Sequence, residues 1–232
     1  MTVGVLVPAA GQGERLGDAP PAEQPAHGAR PPKALRLLAG EPLLVHAVRG
    51  LRLAPSVEVI VVAAPREWAA EVAAMLTSFD IVVVPGGEQR QESVALALTA
   101  LPPEVDLVLV HDAARCLTPP DVVERVVAAL RAGAEAVVPV VPLADTVKRV
   151  ADGRVAETLD RSALRAAQTP QGFRRDLLTA AHRSGSGSVT DDAGMVEALG
   201  HTVTLVTGSD EAFKVTGPQD LLLAEAVLRA RG

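Results

Sequence analysis

The chain has 232 residues, of which 48% are apolar, 22% are charged and 2% are aromatic. This balance is typical of a globular protein rather than a disordered one, and no run reaches the roughly 18 apolar residues that a membrane span requires. The net charge of −6 argues against general nucleic-acid binding, which depends on a broad basic surface.

Cysteine usage and the N-terminal sequence bear on the cellular compartment. The single cysteine, Cys116, excludes an intramolecular disulfide framework and a cysteine-based zinc site. The N-terminus lacks a basic segment ahead of its short apolar stretch, which an export signal would have. We therefore expect a cytoplasmic protein with neither a nucleic acid nor a membrane as its partner.

Short Val- and Ile-rich runs alternate with segments of helical period over the first 142 residues, which is typical of parallel strands joined by crossover helices. The strand candidates are 3–8, 57–64, 80–85, 105–110 and 135–141, and the helix candidates are 41–54, 66–77, 90–101 and 118–132. We expect Thr118 and Pro119 to be the N-cap and first-turn proline of the last helix, and Gly133 to end it. The prediction is an α/β fold in one domain, 1–232, with a mostly parallel central sheet flanked by helices.

The rhythm changes after residue 142. The segments TVKRV at 146–150 and RVAET at 154–158 alternate apolar and polar residues around the turn signal ADG. They predict a β-hairpin arm at about 143–162, which is too small to bury a core and is expected to pack against a partner subunit. A strand at 202–207 and a helix from Pro218 to Arg231 close the domain.

The first strand runs into a glycine-containing loop, GVLVPAAGQGERLG at 4–17. A strand followed by small residues and glycines is how many proteins hold a phosphate. A dinucleotide-binding loop would need glycine where Leu16 stands, and an acidic residue after the second strand, VEVIVVAAP, so a hydride-transfer enzyme is disfavoured. No G-K-[ST] follows the glycines, so the P-loop is excluded as well.

What remains is a backbone cradle with two cations near it. Gly11 and Gly13 would form the cradle, while Arg15 and Lys33 would supply the charge on either side of the Pro/Ala/Gly-rich loop 18–32. An ordinary glycine turn with solvated cations explains the loop equally well, so the loop alone does not decide the function.

Nine motifs follow one another along the chain: VPAAGQGERLG at 7–17, PPKAL at 31–35, GGEQRQESV at 86–94, HDAAR at 111–115, DTVKR at 145–149, LDRSAL at 159–164, QTPQGF at 168–173, TDDAG at 190–194 and FKVTGPQDL at 213–221. In this order they resemble the 2-C-methyl-D-erythritol 4-phosphate cytidylyltransferases of the non-mevalonate isoprenoid pathway. The resemblance implies a Rossmann-like nucleotidyltransferase fold and a homodimer formed through the β-arm. It also implies transfer of CMP from CTP to the methylerythritol phosphate with Mg²⁺, which is held mainly by the triphosphate.

The residue types suit this chemistry. A phosphate oxygen of the acceptor would attack the α-phosphorus of CTP, and pyrophosphate would leave. A phosphate is already ionised near neutral pH, so the site must position two anions and neutralise charge rather than supply a general base. The resemblance implies that Arg15, Lys33 and Lys214 are the catalytic cations.

The same resemblance assigns the binding residues. The nucleotide would contact Ala9, Ala10, Gly11, Gly13, Gly87, Glu88, Ser93 and Asp112. The acceptor would contact Asp112, Arg115, Thr146, Arg161 and Thr169, with Thr146 and Arg161 reaching the neighbouring subunit's active site. Taken singly, most of these residues are better explained as turn residues, helix caps or surface charges. We assign no metal ligand and expect His111 to be structural, because the histidines are scattered without metal-binding spacing.

Two alternatives stay open at this point. Ribitol 5-phosphate cytidylyltransferases share the loop, HDA-R and lysine motifs, so the acceptor is less certain than nucleotidyl transfer. A non-catalytic nucleotide-binding regulator could keep the same fold, although retention of Arg15, Lys33, Asp112 and Lys214 argues against it.

Overall fold

The computed structural model describes residues 1–11, 31–185 and 190–231. Its strands are β1 (Thr2–Pro8), β2 (Leu37–Leu38), β3 (Glu41–Pro42), β4 (Val59–Ala64), β5 (Val82–Pro85), β6 (Val105–Val110), β7 (Ala136–Pro142), β8 (Lys148–Ala151), β9 (Arg154–Thr158), β10 (Arg165–Ala167), β11 (Gln171–Arg174) and β12 (Val203–Thr207). Its α-helices are α1 (Leu43–Arg52), α2 (Ala69–Met75), α3 (Arg90–Thr99), α4 (Pro120–Arg131), α5 (Arg175–Ser184), α6 (Asp192–Ala198) and α7 (Pro218–Arg231).

Within these described ranges, a central eight-stranded sheet has the order β10-β7-β11-β6-β1-β4-β5, and β12 also pairs with β7. The pairs β1–β4, β1–β6, β4–β5 and β7–β12 are parallel, whereas β10 and β11 run antiparallel to their neighbours. The predicted mostly parallel α/β sheet is therefore confirmed. Parallel strands end at the same edge, so the loops after β1 and β6 are brought side by side.

Helices cover both faces of the sheet. On β1, Val5 and Val7 join a buried cluster with residues of α1 and α4, while Leu6 between them joins a second cluster with residues of α3 and α5. Alternate strand residues point to opposite faces, which explains the apolar composition of this strand on both sides. A third cluster includes Cys116 and packs under α7.

Helix α4 starts later than the sequence predicts. Pro119 is its N-cap and Pro120 its first residue, so the expectation for Thr118 and Pro119 is wrong by one position. The hydroxyl of Thr118 instead donates a 2.9 Å hydrogen bond to the carbonyl of Arg115. Gly133, with φ of 109°, follows the helix as expected.

The predicted hairpin is present as β8 and β9, paired antiparallel. Asp152 and Gly153 join them with φ of 50° and 72°, and positive φ at both positions of a two-residue loop fits the right-handed twist of a hairpin. All residues of both strands are exposed. The arm therefore buries none of these side chains in its own protomer.

None of the helices in the described part of the chain combines the length and apolar composition needed to cross a bilayer.

Candidate active site

A cavity of about 230 Å³ opens at the edge where β1 and β6 end. We call it the Asp112 cavity. Its walls come from five parts of the chain: the end of β1 and the residues after it, the turn around Lys33, the start of α3, the residues after β6, and the segment before α7. They include Ala9, Ala10, Gly11, Lys33, Glu88, Arg90, Ser93, Asp112 and Lys214. Apart from Arg90, all of these were predicted as nucleotide-binding or catalytic residues, and the structure brings them around one space.

Asp112, two residues beyond β6, lies between two cations. Nζ of Lys214 donates to Oδ2 of Asp112 over 2.6 Å, and Nε of Arg90 donates to Oδ1 over 3.2 Å. Burial alone would raise the pKa of Asp112, but the charges of Arg90 and Lys214 outweigh it and hold the pKa well below its usual range. The carboxylate is ionised at neutral pH, and each of its oxygens accepts a hydrogen bond from a different cation.

Arg90, the first residue of α3, connects Asp112 to a second carboxylate. Its Nη1 donates to Oδ2 of Asp192 over 2.7 Å. Asp192 is completely buried, and its Oδ1 accepts a 3.0 Å hydrogen bond from Nε2 of His182. Burial disfavours the charged form of Arg90, yet the two aspartates together raise its pKa. Charge of alternating sign thus continues from the cavity into the interior.

The turn before α3 is shaped by glycine. A Cβ at Gly86 would lie 2.8 Å from the Cβ of Ala10 and 3.0 Å from Oγ of Ser93, so only glycine lets this turn approach the end of β1. Ser93 is buried, and its Oγ accepts from the amide of Gly87 over 3.2 Å and donates to the carbonyl of Gln89 over 3.1 Å. The Ser93 hydroxyl holds the turn in place.

Glu92 caps the same helix. Its Oε2 accepts a 2.9 Å hydrogen bond from the amide of Glu88, and a capping box joins Gln89 and Glu92. Beside this turn lies a larger cleft of about 1040 Å³, which we call the Trp68 cleft. Its lining includes Ala10, Arg66, Trp68, Gly86, Gly87 and Glu88. Since Ala10 and Glu88 line both spaces, the cleft and the Asp112 cavity adjoin.

The segment that carries Lys214 is fixed by Asp220. Oδ2 of Asp220 accepts from the amide and the hydroxyl of Thr216, each over 2.7 Å, and from the amide of Gly217 over 2.8 Å. Burial would raise the pKa of Asp220, but these hydrogen bonds and the charge of Lys33 lower it. Two other predicted residues, Gly13 and Arg15, lie outside the described residues, as does most of loop 18–32.

Thr169 lies beneath the Asp112 cavity and does not line it. It is buried, its Oγ1 accepts a 3.0 Å hydrogen bond from the amide of Asp112 and lies 3.2 Å from Nδ1 of His111. Burial lowers the pKa of His111 to about 4, which keeps the imidazole neutral at physiological pH. Both residues support the backbone that carries Asp112.

Arg115 is engaged with backbone rather than with the cavity. Its Nη1 donates to the carbonyl of Ala212 over 2.7 Å and its Nη2 to the carbonyl of Ala167 over 3.1 Å. Its Nε is buried and has no hydrogen-bond partner within the described residues. The guanidinium thus ties β10 to the segment that leads to Lys214.

Thr146 and Arg161 lie at the exposed arm, apart from the cavity of their own protomer. Nη1 of Arg161 donates to the carbonyl of Ala144, and neither Thr146 nor Arg161 lines the Asp112 cavity or the Trp68 cleft. The structure therefore separates these two predicted substrate contacts from the other site residues.

Three residues of this hydrogen-bond network were not assigned from the sequence: Arg90, Asp192 and His182. The quoted motifs GGEQRQESV and TDDAG contain Arg90 and Asp192, so the signal was present in the motif positions. Their pairing spans 102 residues, and a single sequence carries no mark of which charges meet over such a distance.

The family comparison covers almost the whole chain. The model of the family described as "IspD: 2-C-methyl-D-erythritol 4-phosphate cytidylyltransferase" matches residues 3–230. A protein of that name from Streptomyces avermitilis is 53% identical over 239 residues, covering 97% of this chain and 91% of that protein. Another from Frankia casuarinae is 55% identical over 227 residues, covering 97% and 81%.

Solved structures give the same picture. The crystal structure of 2-C-methyl-D-erythritol 4-phosphate cytidylyltransferase from Thermus thermophilus matches with a TM-score of 0.79 and 37% identity, covering 99% of this chain and 100% of that one. The 4-diphosphocytidyl-2C-methyl-D-erythritol synthase from Anaerococcus prevotii matches with a TM-score of 0.82 and 25% identity, covering 98% of both chains.

Proposed function

Because this chain belongs to the 2-C-methyl-D-erythritol 4-phosphate cytidylyltransferase family, we propose that the Asp112 cavity and the adjoining Trp68 cleft are its active site. The enzyme transfers CMP from CTP to 2-C-methyl-D-erythritol 4-phosphate in the non-mevalonate pathway, forming 4-diphosphocytidyl-2-C-methyl-D-erythritol and pyrophosphate. The comparisons favour this acceptor over ribitol 5-phosphate, and they favour an enzyme over a non-catalytic regulator.

One observation carries the proposed site. Lys33 and Lys214 line the same cavity as the loop after β1, at the sheet edge where the first strand and β6 end. Two ammonium groups around one space suit a reaction that brings a triphosphate and a phosphate monoester together, because each anion repels the other until cations neutralise them.

The bonding changes need no general base from the protein. An oxygen of the acceptor phosphate forms a bond to the α-phosphorus of CTP, and the bond from that phosphorus to the bridging oxygen of the β-phosphate breaks. The electron pair leaves on pyrophosphate. Lys33 and Lys214 stabilise the negative charge on the transferring group, and Arg15 holds the triphosphate. Asp112 orients Lys214 and accepts hydrogen bonds from substrate hydroxyls.

The nucleoside end lies along the Gly86–Ser93 turn. Gly86 and Gly87 expose backbone to the Trp68 cleft, while Ser93 fixes the turn from below. We place the cytosine against this turn and Ala10, and the ribose towards Asp112. Close contact with backbone groups suits a flat base, because amides and carbonyls can read its edge.

Mg²⁺ fits as a companion of CTP. Within residues 1–11, 31–185 and 190–231, no group of three or more His, Cys, Asp or Glu side chains is placed to hold a metal ion. Asp112 lines the cavity, but both its oxygens are paired with cations. Triphosphate oxygens would therefore hold most of the coordination sphere, and the bound ion would neutralise triphosphate charge.

We further propose a homodimer formed through the arm of β8 and β9. Val150 and Val155 pair across the two strands, and they are 62% and 61% exposed. Exposed apolar residues on a protruding hairpin mark an interaction surface. An arm that inserted into a second copy would also bring its own Thr146 and Arg161 to the active site of that copy.

The buried free thiol of Cys116 supports a reducing, cytoplasmic location.

The test of the proposed site is pyrophosphate release from CTP with Mg²⁺ and each acceptor, using wild-type enzyme and Lys33→Ala. We expect release with 2-C-methyl-D-erythritol 4-phosphate and a fall in kcat of about 100-fold in the variant, because a preorganised charge is lost. Arg229→Ala, at a 72% exposed cation of α7 outside the arm, is the control for folding. Turnover of Lys33→Ala close to wild type would contradict the proposed site.

A further inference from the structure

Charges of alternating sign run from the Asp112 cavity into the interior. Lys214 pairs with Asp112 over 2.6 Å, Arg90 pairs with Asp112 over 3.2 Å and with Asp192 over 2.7 Å, and His182 bonds to Asp192 over 3.0 Å. The near end lines the proposed active site. The far end, Asp192 and His182, lies where the helices α5 and α6 meet behind it.

Asp192 does not line the Asp112 cavity, but one of the two side-chain hydrogen bonds described for it comes from Arg90, which does. Its side chain is 0% exposed. Oδ2 accepts from Arg90 and Oδ1 accepts from His182. A buried carboxylate is stable only when such partners satisfy it, so Asp192 and Arg90 each determine where the other lies.

Helix capping does not explain Asp192. The cap of α6 is the preceding residue, Asp191, whose Oδ1 accepts from the amide of Gly194 over 3.0 Å and whose Oδ2 accepts from Gln171 over 2.6 Å. The two neighbouring aspartates therefore have separate partners. Asp191 holds the helix terminus, and Asp192 holds Arg90.

The guanidinium of Arg90 transmits this constraint. It is planar, and it donates from Nε to Asp112 and from Nη1 to Asp192. Two hydrogen bonds in different directions fix the plane of the group, whereas one alone leaves it free to rotate. Fixing that plane fixes Oδ1 of Asp112, and this leaves Oδ2 directed at Lys214.

We propose that Asp192 is a positioning residue for cytidylyl transfer: acting through Arg90, it sets the orientation of Asp112 and hence the direction of the Lys214 ammonium. The inference rests on the proposed roles of Asp112 and Lys214 in the active site. The interface of α5 and α6 would then affect the reaction indirectly, without any of its side chains touching the substrate.

The experiment compares Asp192→Asn with Asp191→Asn, an equal change at the next residue. Asp192→Asn should lower kcat at saturating substrates about tenfold while KM for CTP changes less than about threefold, since charge placement and not the nucleoside contacts is altered. Asp191→Asn keeps an oxygen for the N-cap but sets an amide donor against the Gln171 amide donor, so it should lower Tm and keep kcat within about twofold. A kcat of Asp192→Asn within about twofold of wild type would overturn the proposal.

A double-mutant cycle separates positioning from general destabilisation. If Asp192 acts through Asp112, adding Asp192→Asn to Asp112→Asn should lower kcat by less than about twofold further. Multiplication of the two single effects would overturn the proposal. If Asp112→Asn alone keeps wild-type kcat, the proposed role of Asp112 fails and the inference fails with it, whereas loss in Asp112→Asn without loss in Asp192→Asn rejects the inference alone.

Arg90→Lys provides a second variant should Asp192→Asn not fold, because the side chain of Arg90 is 29% exposed and tolerates change more readily. An ammonium cannot hold two carboxylates in one fixed plane. We expect Arg90→Lys to lose about tenfold in kcat, and little further in the Asp112→Asn background. Wild-type kcat in Arg90→Lys would overturn the proposal.

Discussion

Nζ of Lys214 lies 2.6 Å from Oδ2 of Asp112, although the two residues are 102 positions apart in sequence. The contact joins the segment before α7 to the end of β6. It brings an ammonium group and a carboxylate together at the edge of the sheet, so the charge balance of the site depends on how these two distant segments pack.

Replacing Lys214 separates its charge from its role in folding. Lys214→Met should lower kcat about 100-fold, because the role proposed for this cation is to neutralise charge on the transferring phosphate. Lys214→Arg should retain more activity, since it keeps the charge but not the compact geometry. The lysine side chain is 39% exposed but that of Asp112 is 13% exposed, so Lys214→Met leaves a largely buried carboxylate without one of its hydrogen-bond donors, and stability should fall by about 1–3 kcal/mol. Pyrophosphate release measures the change in kcat, and thermal unfolding measures the change in stability. A Lys214→Met enzyme with wild-type kcat would disprove the proposed catalytic role of Lys214.

Gly87→Ala should disturb the end of the site where we propose that the nucleotide binds. A Cβ there would lie 2.4 Å from the Cβ of Glu92 and 2.6 Å from its Oε2, so Glu92 must leave its capping position at α3. We expect about 1 kcal/mol of lost stability and about tenfold weaker CTP binding, measured by thermal unfolding and calorimetry. At Gly217, a Cβ meets no described atom within 4 Å, so Gly217→Ala is the stability control. Equal effects of the two substitutions would refute this explanation.

The buried His111 predicts a loss of stability in mild acid. Burial lowers its pKa from 6.5 to about 4. Between these pH values the unfolded chain binds more protons at His111 than the folded protein does. The contribution of neutral His111 to the free energy of unfolding is therefore complete above pH 6.5 and is lost as the pH falls towards 4. From pH 7 to pH 5 it amounts to about 2 kcal/mol. Urea unfolding at both values should show the difference, and His111→Asn should reduce it. If the difference in the free energy of unfolding between pH 7 and pH 5 is the same in that variant, other groups cause the pH dependence.

The arm should control the oligomeric state. Val150→Asp with Val155→Asp places two charges on the exposed hairpin, where both residues are more than half exposed. A charge buried in an interface without a partner is strongly unfavourable, so we expect monomers in sedimentation experiments and an unchanged protomer fold by circular dichroism. Leu53→Asp, at an equally exposed leucine (65%) outside the arm, is the control. A dimer that survives the double change would exclude the arm as its interface.

Complementation tests whether the arm serves the neighbouring site. Lys33→Ala and Arg161→Gln should each retain little activity alone. In a mixed dimer, one of the two sites receives an intact Lys33 and an intact Arg161 from different subunits, so random mixing restores about a quarter of wild-type activity. No recovery, with mixed dimers demonstrated by mass spectrometry, would mean that Arg161 acts within its own subunit.

Periodic elements were predictable because burial repeats along them. The strand Val105–Val110 and the helix Pro218–Arg231 have the bounds that the sequence predicts. The α5 and α6 helices were not assigned. Helix α5 buries just Leu177, Leu178 and Ala181, and α6 has seven residues, so neither carries a long apolar period.

The site was predicted as a set of residues rather than as a geometry. The motif resemblance supplied Lys33, Asp112 and Lys214, and the structure places all three around one cavity. It could not supply the hydrogen bonds of Thr169 and Arg115, because these depend on how β10 and β11 pack beside β6 and β7. Polar residues in motifs are equally suited to hold backbone or ligand, and tertiary contacts decide between the two.

The Lys214–Asp112 pair also has a consequence for inhibitor design. A neutral compound that separates the Lys214 ammonium from the Asp112 carboxylate leaves both groups without an oppositely charged partner. A phosphonate or another acidic group can replace the Asp112 carboxylate as the partner of Lys214. The Trp68 cleft presents glycine backbone and an indole beside it. Uncharged scaffolds should therefore be directed at the cleft, with one acidic group extended towards Lys214 as the anchoring fragment.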